Sequence, residues 1–159
     1  MDWHLKIWFK NDEYNSLVKI YKSEFIEFLK FDVLEKIYIN YIITTSLTEQ
    51  ELIKITEDFF VDKLLEDYEI SSFENFSIPS KLNINNAYIF HIVFRKEVLN
   101  PNDQIILRAL NSVYGNKFED LRSFYSYVFS KKISKEKLVD AASRLISNKL
   151  LHEIVIEER

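Results

Sequence analysis

Two stretches of this 159-residue chain read almost alike, and they restrict what it can fold into more than any other feature. DKLLEDYEI starts at Asp62 and NKLLHEIVI at Asn148, 86 positions later. Each opens on a short polar side chain, runs Lys-Leu-Leu and then turns apolar. The likeness extends backwards without a gap. LTEQELIKITEDFFVDKLL, Leu47 to Leu65, lies over ISKEKLVDAASRLISNKLL, Ile133 to Leu151, with Leu52 on Leu138. Earlier blocks align 87 positions apart: Trp3-His4-Leu5 with Phe90-His91-Ile92, Phe31-Asp32-Val33-Leu34 with Phe118-Glu119-Asp120-Leu121, and Tyr38 with Tyr125. One period near half the chain means a duplicated domain, not a solenoid.

Each half reads as β-α-β-α-β. In the first, Trp3 to Phe9 is a strand. Glu13 to Lys30 is a helix with Leu17, Tyr21, Phe25 and Phe28 on one side, and Val33 to Thr44 is a strand. Thr48 with Glu51 has the spacing of a capping box, followed by an apolar stripe of Leu52, Ile55 and Phe59. Glu66 to Ser72 closes the half. In the second, Ala87 to Phe94 is rich in β-formers. Asn100-Pro101 supplies an N-cap and a first helical proline. Ile106, Leu107, Leu110 and Val113 recur at helical spacing, and Gly115 ends that helix. Phe118 to Phe129 is an aromatic strand. Ser134 caps a helix bearing Leu138, Ala141, Ala142 and Leu145, and Glu153 to Glu157 is the last strand. The expected division is 1–73, a polar linker over 74–86 interrupted by Pro79, and 87–159. In this reading the Lys-Leu-Leu phrase marks where the second helix of each half hands its buried leucines to the closing strand.

Composition narrows the function. Gly115 is the only glycine, and phosphate-cradling loops need several, so a P-loop and a dinucleotide fingerprint are excluded on residue supply. The chain has no cysteine, which removes disulfides and thiolate chemistry and suits a reducing cytoplasm. Its net charge of −4 argues against broad nucleic-acid binding. No apolar run is long enough for a membrane span, and MDWHLKIWFK lacks the basic start and cleavage site of a signal peptide.

Candidate chemistry is sparse. His4 and His91 hold matching strand positions without HxxxH or HxH ligand spacing, so they read as structural rather than metal-binding. His152 sits at a helix end, where a cation suits the dipole. Glu66-Asp67 and Glu157-Glu158 are adjacent, so in a strand they face opposite sides and read as solvated charge rather than a catalytic pair. No serine sits in a G-x-S-x-G elbow. Phe124, Tyr125, Tyr127 and Phe129 are patterned like the stacking strand of an RNA-binding sheet, but the accompanying glycines and basic residue are missing.

Val98-Leu99-Asn100-Pro101 follows a strand and precedes a helix containing Ala109-Leu110. Leu121-Arg122 lies in the next strand, and Asn148 closes the second helix before Glu153. In these features the chain resembles the small S subunit of phosphoribosylformylglycinamidine (FGAM) synthase, the PurS family. That family carries a Val-Leu-Asp-Pro-x-Gly turn, Ala-Leu in the first helix, then Val-Arg-x-Gly-Lys. The second half matches from Val98 to about Val128. The first half matches best from Phe60-Val61-Asp62 through Glu66-Asp67-Tyr68. The family's turn glycine is Asp103 here, its Gly-Lys is Phe124-Tyr125, and Arg122 has Glu35 as its first-half counterpart.

The resemblance implies an α+β chain of two tandem β-α-β-α-β, ferredoxin-like-related repeats forming a pseudo-dimer. It implies a cytoplasmic, non-catalytic scaffold for an ATP- and glutamine-dependent ligase of purine biosynthesis. Its expected partners are a synthetase (PurL-type) and a glutaminase (PurQ-type) subunit. Asn100, Pro101, Arg122 and Tyr125 become interface candidates, with no catalytic residues, no metal and no cofactor expected. Sheet edges leave room for a homo-oligomer. The alternative is a duplicated α+β regulatory domain with a small molecule bound between repeats.

Overall fold

The computed structural model describes residues 1–159. Its elements are β1 (Asp2–Phe9), α1 (Ser16–Leu29), β2 (Leu34–Thr45), α2 (Glu49–Ile55), β3 (Glu66–Ser72), β4 (Ala87–Phe94), α3 (Pro101–Tyr114), β5 (Phe118–Ser130), α4 (Lys135–Leu145) and β6 (His152–Glu158). The fold is α+β: four α-helices and a six-stranded sheet in the order β3-β1-β2-β5-β4-β6. β1 pairs antiparallel with β2 and β3, and β4 pairs antiparallel with β5 and β6. No helix is long and apolar enough to cross a membrane.

Local chemistry sets most element ends. Thr48 and Glu51 form the expected reciprocal cap at α2. Asn100 caps α3 with Pro101 in its first turn, and Ser134 caps α4. The helix expected from Glu13 instead begins at Ser16. Asp12–Tyr14 is a separate 3-10 turn, because the Asn15 side chain accepts the N–H groups of Leu17 and Val18 and so starts a new helix. The α1 stripe is Leu17, Val18, Tyr21 and Phe25, whereas Phe28 is exposed beneath the Arg144 guanidinium. Val113, expected on the buried face of α3, also points to solvent. α2 ends in a π-helical turn over Thr56–Phe60, closed by Val61 N–H on the Thr56 carbonyl at 3.1 Å.

The chain packs as two compact units that do not follow its linear halves. The first comprises Met1–Lys10, Ile39–Leu82 and Leu99–Ser123. Its core holds Leu5 and Ile7 of β1, Ile43 of β2, Leu52 and Ile55 of α2, Leu110 of α3, and Phe118 and Leu121 of β5. The second comprises Asn11–Tyr38, Asn83–Val98 and Phe124–Arg159. Its core holds Val18 and Phe25 of α1, Phe90 and Ile92 of β4, Tyr127 and Phe129 of β5, and Leu138, Ala141 and Ala142 of α4. Phe25 meets Phe129 edge-on at 5.0 Å between ring centroids, and Tyr21 meets Tyr127 at 5.8 Å. The first unit thus holds β1 and β3 of the first half with α3 of the second, and the second unit holds β4 and β6 of the second half with α1 of the first.

The repeated phrase has a different physical meaning from the one expected. Leu64 is 88% exposed and Leu150 83% exposed, so neither is a buried leucine. Both phrases form the same turn. Asp62 Oδ1 accepts Leu64 N–H at 3.0 Å, and Asn148 Oδ1 accepts Leu150 N–H at 2.9 Å. The Asp62 carbonyl takes the N–H of Leu65 and Glu66; the Asn148 carbonyl takes those of Leu151 and His152. Lys10 N–H then binds the Leu65 carbonyl, and Arg95 N–H the Leu151 carbonyl, both at 2.8 Å. The short polar residue is repeated because an Asx turn needs a side-chain acceptor there.

The pairing of Tyr38 with Tyr125 also gives way. Leu5 faces Tyr41, and Ile92, aligned with Leu5, faces Tyr125. The ladders thus equate Tyr41 with Tyr125. The alignment over β2 and β5 was out of register by an odd number of residues, which places side chains on the wrong face of the sheet.

Candidate interaction site

Three of the four interface candidates come together in the first unit, around the start of α3. Asn100 is extended (φ −85°, ψ 115°), and its side chain accepts Asn102 N–H at 3.1 Å. Pro101 follows in the first turn, exposed, with exposed Leu99 before it. Ile105, four residues after Pro101 and so on the same helix face, is exposed too.

The opposite side of that turn is anchored by Asp103. It is buried, and its carboxylate accepts both the backbone N–H of Ser123, at 3.0 Å, and the Ser123 hydroxyl. This ties the first turn of α3 to β5 one residue after Arg122. Burial pushes Asp103 above the usual carboxylate range; the Ser123 bonds and the Arg122 charge work against that shift, and the nearby Asp120 adds to it. Arg122 is exposed, with its Nε 3.3 Å from Asp120. An exposed pair of this kind contributes little stability and leaves the guanidinium available to a partner. Leu99, Pro101 and Ile105 are thus exposed at the start of α3, and the Asp103–Ser123 bonds tie that turn to the strand that carries Arg122.

Tyr125 belongs to the second unit. It stands opposite Ile92 and is 40% exposed. Burial, with the Tyr21 hydroxyl nearby, raises its pKa, so it remains a phenol able to donate a hydrogen bond. The rest of the aromatic series, Phe124, Tyr127 and Phe129, is buried and offers no stacking platform.

Each unit also carries a buried polar cluster. In the first, His4 Nε2 lies 2.8 Å from Asn40 Oδ1, and Phe73 meets the His4 ring edge-on. Lys6 is fully buried with its ammonium 3.4 Å from Glu69. Glu69 also accepts the Ser80 N–H at 3.0 Å and the Ser80 hydroxyl. Burial alone raises Glu69, but the Ser80 bonds and the Lys6 charge outweigh it and hold the carboxyl below its ordinary value.

In the second unit, His91 lies between Ser126 (Nδ1 to Oγ, 2.5 Å) and Glu157 (Nε2 to Oε1, 2.6 Å). Ser, His and Glu are the components of a hydrolytic triad, yet Ser126 and His91 are completely buried, so no substrate reaches the hydroxyl. Glu157 is therefore a structural partner of His91 rather than the solvated charge expected.

His152 departs from expectation as well. It begins β6, its Nδ1 accepts Asn148 N–H at 3.0 Å, and its ring meets Phe94 at 4.6 Å. Burial lowers its pKa, so it acts as a neutral acceptor in the turn and not as a cation on a helix end. Asp103, Lys6 and Glu157 carried no sequence signal of these roles. Alternation shows which residues share a strand face, not whether that face is covered. No protein-family model matches the chain, and no curated protein matches it.

Proposed function

We propose that this chain is a non-catalytic scaffold subunit: a tandem PurS-like protein that works as a single-chain S dimer of FGAM synthase, bridging the synthetase and glutaminase subunits. The observation that carries this reading is the exchange of helices between the halves. Besides its own half's β2, α1 packs with β4, β5 and α4; besides its own half's β5, α3 packs with β1, β2 and α2. Interlocking of that kind is what two protomers of a helix-swapped dimer do, here within one chain. The order β-α-β-α-β in each half and the matching turns at Asp62 and Asn148 support the duplication. The patch of Leu99, Pro101, Ile105 and Arg122 is the surface assigned to a partner.

Reconstitution tests it. Mixed with a synthetase that lacks its own S-like region and with the glutaminase, the chain is expected to restore glutamine-dependent amidation, and Arg122→Glu should weaken assembly at least tenfold. Native mass spectrometry should find one copy per synthetase, since the second S module is already tethered. Two copies per synthetase, or no effect of the chain on the reaction, overturns the reading.

A further inference from the structure

We propose that the outer edge of β6 is a docking site for an extended basic segment of another protein, which adds to the sheet as a further strand. β6 ends the strand order and pairs with β4. Ala87 and Arg159 exchange both backbone bonds, and Arg95 N–H binds the Leu151 carbonyl. With the register of the pair, this alternation turns Glu153, Val155 and Glu157 toward β4. The N–H and C=O groups of Ile154 and Ile156 therefore point away from the sheet, two residues apart, as an incoming strand needs.

The other end of the strand order shows how this protein covers an edge. In β3 the same alternation, set by Phe73 N–H on the Asp2 carbonyl and Lys10 N–H on the Leu65 carbonyl, turns the Tyr68 backbone outward. There the Lys81 ammonium takes the Tyr68 carbonyl at 3.0 Å, while Ser80 binds Glu69. That cover blocks strand addition. No such segment is bound to β6.

Charge selects the occupant. His152–Glu158 contains Glu153, Glu157 and Glu158 and no Lys or Arg. The side chains of Glu153 and Glu158 are 60% and 58% exposed, each with one ion-pair partner behind it, Arg95 and Lys131. A second copy of this chain in the symmetric register about Val155 is a poor fit. Glu153-Ile154-Val155-Ile156-Glu157 is a palindrome, and pairing it with itself about Val155 sets each Glu153 against a Glu157. Like charges directly opposite are destabilising. A segment with Lys or Arg flanking three β-formers instead sets one cation against exposed Glu153 and the other beside Glu157, which His91 and Arg159 hold.

This inference is independent of the scaffold reading, and its test needs neither synthetase nor glutaminase. The full chain is titrated into a fluorescein-labelled peptide with the core Lys-Val-Ile-Val-Lys, and into the same peptide with both Lys replaced by Glu. The Lys peptide should bind at least tenfold more tightly. Ile156→Pro removes one outward N–H and no bond to β4, so it should weaken binding at least tenfold. Amide exchange reads the parent chain without any variant: Ile154 and Ile156 should gain protection when the Lys peptide is present. Equal binding of the two peptides, or unchanged exchange at both amides, overturns the proposal. So does a peptide-free dimer, seen by light scattering, that Ile156→Pro abolishes.

Discussion

Glu157 Oε1 lies 2.6 Å from His91 Nε2, and the histidine side chain has no exposed surface. The other ring nitrogen lies 2.5 Å from Ser126 Oγ. A carboxylate oxygen only accepts, so Nε2 donates to Glu157. Glu157→Ala strands a buried donor and should cost about 1–3 kcal/mol. Glu157→Gln keeps an acceptor and should cost less. Urea unfolding of the two variants checks this; an alanine variant as stable as the parent shows that the pair contributes nothing.

Asp103 gives a pH-dependent signature. Burial raises its folded pKa despite the bonds from Ser123. The folded state then holds the proton more tightly than the unfolded chain. The contribution of Asp103 is therefore complete below the ordinary carboxylate value, about 3.9, and is lost as pH rises from there through the folded pKa. Asp103→Asn removes that slope and should match or exceed the parent at pH 7. Asp103→Ala loses both acceptors for Ser123 and should cost about 1–3 kcal/mol. Denaturant melts from pH 3 to 7 separate the outcomes, and an asparagine variant weaker than the alanine variant contradicts the assignment.

Glu69 has the opposite sign. Its carboxyl is held below the ordinary value by Ser80 and Lys6 in spite of burial. That contribution is complete above the unfolded pKa, about 4.3, and is lost as pH falls through the folded pKa. The segment around Ser80 and Lys81 should loosen in that acidic range before the core opens. Hydrogen exchange at Ser80 N–H, which binds Glu69 in the folded chain, reads the loss directly. Glu69→Gln should shift that loosening to neutral pH, and unaltered exchange in that variant argues against the carboxylate as the anchor.

The leucines of the repeated phrase should be dispensable for stability. Leu64→Ser and Leu150→Ser alter side chains that are mostly in solvent and are expected to stay within about 0.5 kcal/mol of the parent. Leu52→Ala and Leu138→Ala empty fully buried positions and should cost about 2–5 kcal/mol each. Thermal and urea melts of these four variants are sufficient. Large losses at Leu64 or Leu150 place those residues in a contact absent from the monomer.

Separated halves provide a last check on the packing. Residues 1–73 include α1, whose Val18 and Phe25 are buried among side chains of β4, β5 and α4. Expressed alone, this fragment should lack cooperative unfolding, because β4, β5 and α4 supply most of the apolar surface around α1 and only Val33, Leu34 and Ile37 come from its own half. Mixing it with residues 87–159 should restore native-like circular dichroism. A fragment that melts cooperatively by itself contradicts the exchange of helices.

The local features of this fold were legible in the sequence. The order of strands and helices, the Thr48–Glu51 capping box and the Asn100-Pro101 start all depend on groups within four residues of one another or on side-chain period. The lasting likeness of the Asp62 and Asn148 phrases was visible as well, although its cause, a turn and not a buried leucine pair, was not. Tertiary structure alone decided which strands each helix covers, the register that sets Tyr41 rather than Tyr38 in the place of Tyr125, the burial of Lys6 and His91, and the pairing of half-buried Glu157 with His91. Those outcomes depend on surfaces far apart in the chain. An alternating strand states which side chains share a face, and an amphipathic helix states that it needs a partner. Neither carries the identity of what covers it, because hydrophobic burial is non-directional and any apolar face of fitting shape satisfies it.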